Sequence, residues 1–270
     1  VLTNIQIPFT FFLSERKGFG DMYNHTRSQF TETDCLFIAQ TLGETSSERD
    51  VILQQTEDPT SMTGLLHEKK LFERSLTTPP MFLTISPQLF FYVFIYQALD
   101  FKHLADDDLA DYVAGVCVEF RSNEAIWKLA AVEGGKTVYF IDLLNMLPDL
   151  DKPQQYFLRR YIGNISLFLT GFFPDFIFQR NQNIGAPPMN YYERIGQAQF
   201  ETAAEHSERY DASATPVLSM LGERFVDVRS AINIFTDNYL QLHNDKYSLQ
   251  RIQRQATTLD EESFGQSLML

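Results

Sequence analysis

Apolar positions along most of this chain recur at intervals of three and four, the spacing that places them on one face of an α-helix. The clearest run follows Pro216, where Leu218, Leu221, Phe225, Val228, Ile232, Phe235 and Tyr239 form an amphipathic stripe and predict a core helix. Leu158, Ile162, Ile165, Leu169 and Phe172 repeat the pattern between Pro153 and Pro174, which mark a helix start and stop. Ser86-Pro87 joins a capping side chain to a residue of preset φ and predicts a helix through the apolar run Leu89 to Leu99. That helix is apolar on every side and belongs in the interior, although LFFYVFIY also has the composition of a strand. Asp106-Asp107-Asp108 opens a further helix reaching about Phe120, because carboxylates cap free amides at the positive end of a helix dipole.

Shorter signals fill the rest. Residues 1–33 lack periodicity and read as an irregular arm with one short element. Three short helical stretches follow, at 34–42, 48–55 and 61–76, separated by Gly43 and by Asp58-Pro59. Within Ile126 to Ile141, two β-prone runs flank Glu133-Gly134-Gly135-Lys136 and predict one small β-hairpin. A loop from Asn181 to Asn190, with Gly185 and Pro187-Pro188, separates a region 1–180 from C-terminal helices in 181–270, beginning with Tyr191 to Tyr210. These two parts are expected to share one continuous core. Beyond His243 polarity rises toward a frayed end. The expected fold is therefore mainly α, a compact multi-helix globule of roughly eight to ten helices with one hairpin near residues 126–141.

Composition sharpens this picture. The 24 Phe and 12 Tyr supply an aromatic-rich core. A net charge of −13 opposes nucleic acid and anionic lipid, and no basic stripe offsets it. The longest apolar run is about half the ~20 residues that a membrane-crossing helix needs, so no membrane insertion is expected. Cys35 and Cys117 lie far apart among apolar neighbours, as core residues do, which excludes a disulfide framework. No signal-peptide pattern opens the chain, and a cytoplasmic location is the expectation.

Two segments resemble motifs of known families. Ala130 to Thr137 (AAVEGGKT) resembles the phosphate loop of P-loop nucleotide hydrolases, which implies a phosphate cradle using Lys136 and Thr137. Strand-forming residues after Thr137, where such a loop starts a helix, favour a hairpin turn instead. Asp107-Asp108-Leu109-Ala110-Asp111 resembles the aspartate-rich motif of isoprenoid synthases, and Asn244-Asp245-Lys246-Tyr247-Ser248 the start of their second metal motif. That resemblance implies Mg2+ held by Asp107, Asp108 and Asp111 against a diphosphate substrate. The second motif ends at Ile252 where that family has Glu, and the acids precede their apolar helix, so a helix cap is the preferred reading.

Other chemistry finds little footing. The histidines at 25, 67, 103, 206 and 243 show no zinc spacing, no GxSxG turn occurs, and Glu201, Glu205 and Glu208 beside His206 read as a solvated face. Arg159, Gly163, Ser166 and Thr170 share one face of the helix after Pro153. Small residues there suit a close contact with the helix carrying Gly196, Ala203 and Ser207. The sharper alternative is a polar pocket in which Arg159, Ser166 and Thr170 hold an anionic ligand and Tyr192 closes it. The leading expectation is a non-catalytic helical protein that binds a partner protein or small ligand and needs no cofactor. A magnesium-dependent enzyme acting on a diphosphate is the alternative, and a nucleotide-binding protein comes third.

Overall fold

A computed structural model of the protein describes residues 25–78, 83–121 and 140–240. The described chain is mainly helical, with eleven α-helices and no strand among the described residues. They are α1 Glu32–Leu42, α2 Ser46–Gln55, α3 Pro59–Leu66, α4 Lys69–Thr77, α5 Pro87–Phe101 and α6 Asp107–Arg121, then α7 Phe140–Met146, α8 Lys152–Phe172, α9 Pro174–Ile184, α10 Met189–Tyr210 and α11 Thr215–Phe235.

Local chemistry explains the boundaries. Thr31 and Asp34 form a capping box at α1, Thr45 and Glu48 another at α2, and Asp151 and Gln154 a third at α8. Pro occupies the first turn of α3, α5, α8, α9 and α11, where a missing N–H costs nothing. Gly185, at φ 65°, ends α9 in a left-handed conformation that glycine adopts without strain. Asp34, fully buried, also accepts a hydrogen bond from the Ser86 amide at 2.7 Å, so the residue that caps α1 fixes the entry to α5.

The architecture has α8 at its centre, where every residue from Ile162 to Phe172 is buried. Helix α8 packs along α10, α10 along α11, and α11 reaches across to α5, which pairs with α6. Phe94, Phe172 and Phe235 meet where α5, α8 and α11 converge, with ring centroids 5.9 to 6.5 Å apart. Buried apolar residues form one cluster extending from Phe37 on α1 to Phe235 on α11. At the end of α8, Asn233 donates to the carbonyls of Thr170 and Gly171. No single helix among the described residues is long and apolar enough to cross a membrane, and α8 and α9 meet at 91°.

Several expectations need correction. Most of the expected hairpin, residues 126–139, lies outside the described residues, and so does the Ala130 to Thr137 loop. The end of its second arm, Phe140 and Ile141, begins α7 and is not a strand. The stretch 61–76 divides into α3 and α4 at His67-Glu68, where Glu68 is extended; the His67 ring stacks on Tyr96 and meets Asp107. The run LFFYVFIY is helical, as the Ser86-Pro87 start predicts, whereas the loop before α10 shortens to residues 185–188 because α9 continues to Ile184.

The tightest contact joins α8, α10 and α11. A Cβ on Gly163 would lie 2.8 Å from the Phe200 ring, and one on Gly196 would meet the Phe225 ring and come 2.9 Å from Ser166 Cβ. In a solvated helix Gly→Ala adds about 1 kcal/mol of stability. Here overpacking reverses the sign, and Gly196→Ala lowers stability by about 2 kcal/mol, read as a reduced urea midpoint.

Candidate functional site

The acidic run at the start of α6 is engaged within the protein. Asp106 caps the helix, accepting from the Leu109 amide at 2.8 Å. Asp107 accepts from the Tyr92 hydroxyl at 3.0 Å and lies 2.7 Å from His67 Nε2, whose ring stacks on Tyr96 at 4.0 Å. Asp108 pairs with Arg27 Nη2 at 2.8 Å. Asp111 is fully buried; its Oδ1 accepts from the Arg27 amide at 2.8 Å, and its Oδ2 is 3.2 Å from His25 Nδ1. The 3-10 turn Thr26–Gln29 is thereby clasped to α6 and α5. Arg27 enters this cluster from the segment read as an irregular arm.

These contacts bear on the metal alternative. A cation between Asp107, Asp108 and Asp111 would compete with a guanidinium and an imidazole already at the carboxylates. Among the described residues, no group of three or more His, Cys, Asp or Glu is arranged to hold a metal. The second motif, Asn244 to Ser248, lies outside the described residues. Burial raises the pKa of Asp111, opposed by the hydrogen bond and charge of Arg27 and by His25.

Of the four residues assigned to a polar pocket, the structure separates three from the fourth. Ser166 and Thr170 are fully buried at the crowded face of α8; Thr170 donates to the Ser166 carbonyl at 2.7 Å, while Ser166 Oγ has no hydrogen-bond partner. Tyr192 is half-buried, and burial raises its pKa while the charge of Arg180 opposes the rise. Arg159 is half-buried and donates through Nη1 to Gln199 Oε1 at 2.8 Å, and Gln199 lines an opening.

That opening is a shallow cleft of about 460 Å³ along α10. Asn190, Tyr191, Arg194, Ile195, Ala198 and Gln199 line it, with Pro188 at one end and Leu144 of α7 opposite. Steps of one, then three, along a helix keep these side chains on one stripe. The neighbouring face, with Gly196, Phe200, Ala203 and Ser207, is buried.

Arg160, on the flank of the same polar face, is only 4% exposed, and its partners are not legible in the sequence. It bonds Asp211 at 3.0 Å and the Tyr156 hydroxyl at 3.3 Å, and lies over the Tyr112 ring. Burial alone would lower its pKa, but Tyr112, Tyr156 and Asp211 outweigh that and keep it charged. The group joins α6, α8 and the end of α10. Comparison with models of protein families, with curated proteins and with solved structures yields no match.

Two measurements check these placements. Ser166→Ala removes an unsatisfied buried hydroxyl without adding volume, and raises unfolding free energy by about 1 kcal/mol. Because the folded-state pKa of Asp111 is raised, its contribution is greatest below its unfolded value and declines as pH rises through the folded one. Urea midpoints from about pH 3.5 to about 5.5 therefore move in favour of Asp111→Asn over the parent as pH rises. A constant difference would refute the burial effect.

Proposed function

We propose that this chain is a helical binding protein whose recognition site is the cleft along α10. The observation that carries the reading is the make-up of the cleft: apolar surface from Leu144, Ile195 and Pro188 beside polar groups from Asn190, Arg194 and Gln199. An apolar wall with a few placed polar groups, in about this volume, is how proteins hold small molecules. Binding is favoured over catalysis because, among the described residues, Asp108 and Asp111 are engaged by the 3-10 turn that holds Arg27, and Asp107 by His67 and Tyr92.

Ligand-observed NMR with small aromatic and aliphatic fragments checks this. Ala198 is exposed on the cleft wall, so Ala198→Trp fills the cleft without disturbing the core. Fragments that bind the parent are expected to lose binding to the folded variant. Binding that persists unchanged in Ala198→Trp would move the site elsewhere.

A further inference from the structure

Resting on that reading of the cleft, we infer that its ligand is an anion borne on an apolar body, an aromatic carboxylate being the simplest example, with Arg194 and the Arg159–Gln199 pair receiving the negative charge. The argument begins with the protein's charge. With 35 acidic against 22 basic residues, carboxylates are abundant partners for any guanidinium. Four of the described arginines take them: Arg27 pairs with Asp108, Arg160 with Asp211, Arg224 with Asp227 and Arg229 with Glu193, all within 3.0 Å. Among the described residues, Arg159 and Arg194 belong to the arginines that form no ion pair; Arg159 donates to Gln199, and Gln199 and Arg194 both line the cleft.

Their surroundings make this lack costly. Arg159 is half-buried, and desolvation lowers its pKa, with only the longer-range charge of Glu205 opposing. A guanidinium withdrawn from water without a carboxylate is stabilised by any anion that reaches it. Gln199 links it to the cleft. Its Oε1 accepts the hydrogen bond from Arg159, and Gln199 is itself part of the cleft lining.

Two further features agree. The cleft begins at the N-terminal end of a 22-residue helix, where Pro188 supplies no side-chain cap, and runs along it to Gln199. Its remaining wall is apolar, with the Tyr191 ring half-exposed on it. A bare inorganic anion would leave that surface wet, whereas an aromatic acid covers it and places its carboxylate between donors.

The test is a titration, followed by NMR, of 2-naphthoate, 2-naphthamide, 2-naphthylmethylammonium and inorganic phosphate into the full chain. The expected result is binding of naphthoate ~10-fold tighter than naphthamide, the scale of one or two charge-assisted hydrogen bonds. That advantage disappears in Arg194→Gln and shrinks in Arg159→Gln, each variant losing more affinity for naphthoate than for naphthamide. Arg194 is exposed and unpaired, so its variant retains the parent fold, which circular dichroism verifies. Equal binding of naphthoate and naphthamide, both lost in Ala198→Trp, overturns the anion inference and leaves the cleft standing. Phosphate binding as tightly as naphthoate overturns the apolar body. Failure of every probe to bind overturns both the inference and the cleft reading.

Discussion

The approach of α10 to α8 and α11 is the constraint from which the rest of the architecture follows. At Gly163 and Gly196 the missing Cβ admits the rings of Phe200 and Phe225, and at Gly222 it admits the Glu201 stem. Interior packing leaves no slack for an added methyl group there. Helix α8 is enclosed as a result, and its polar side chains must be satisfied by close neighbours. Asn233 closes the carbonyls at one end, Arg160 is compensated by Asp211 and two tyrosines further back, and Ser166 keeps an unpartnered hydroxyl as the cost of its small size. Because α10 buries one face so tightly, its adjacent stripe is held rigidly at the surface, and that stripe carries the cleft.

Electrostatics divides the molecule differently. At the start of α6, Asp108 and Asp111 are engaged by Arg27 and His25 within a few ångströms, and the arrangement fastens residues 25–29 to the helical body. Pairs there that remain partly exposed contribute little individually, whereas the fully buried Asp111 makes the clasp specific about which residues it accepts. Along α10 the opposite holds. Arg194 lines the cleft and Arg159 donates to Gln199 beside it, neither in an ion pair among the described residues.

How far the sequence anticipates this depends on the range of the interaction. Helices α5, α6, α8 and α11 announce themselves through period and punctuation, because Ser86-Pro87, Asp106 to Asp108, and the stripes after Pro153 and Pro216 are local signals that tertiary packing reinforces. Gly163 and Ser166 on α8, and Gly196 on α10, could likewise be read as a close contact from spacing alone. The failures are non-local. Phe140 and Ile141 are β-prone residues in a helix, and a helical stretch breaks at His67-Glu68, where the His67 ring meets partners on α5 and α6. The same stripe of α8 that suggested a pocket for Ser166 and Thr170 serves packing, and Arg159 is tied to the cleft through Gln199, 40 positions away. Arg160 and Asp211 are 51 positions apart, and no pattern along the chain connects them.

The glycine-to-ring contacts also limit how this lineage can drift. A smaller side chain at Phe225 would leave a void that Gly196 cannot fill, and a larger one at 196 has no room until the ring opposite shrinks. Each change is harmful alone and tolerable with its counterpart, so the two positions behave as a single heritable unit. Relatives that diverge here are expected to exchange both residues together, with bulk passing from one helix to the other while the separation of their axes stays the same.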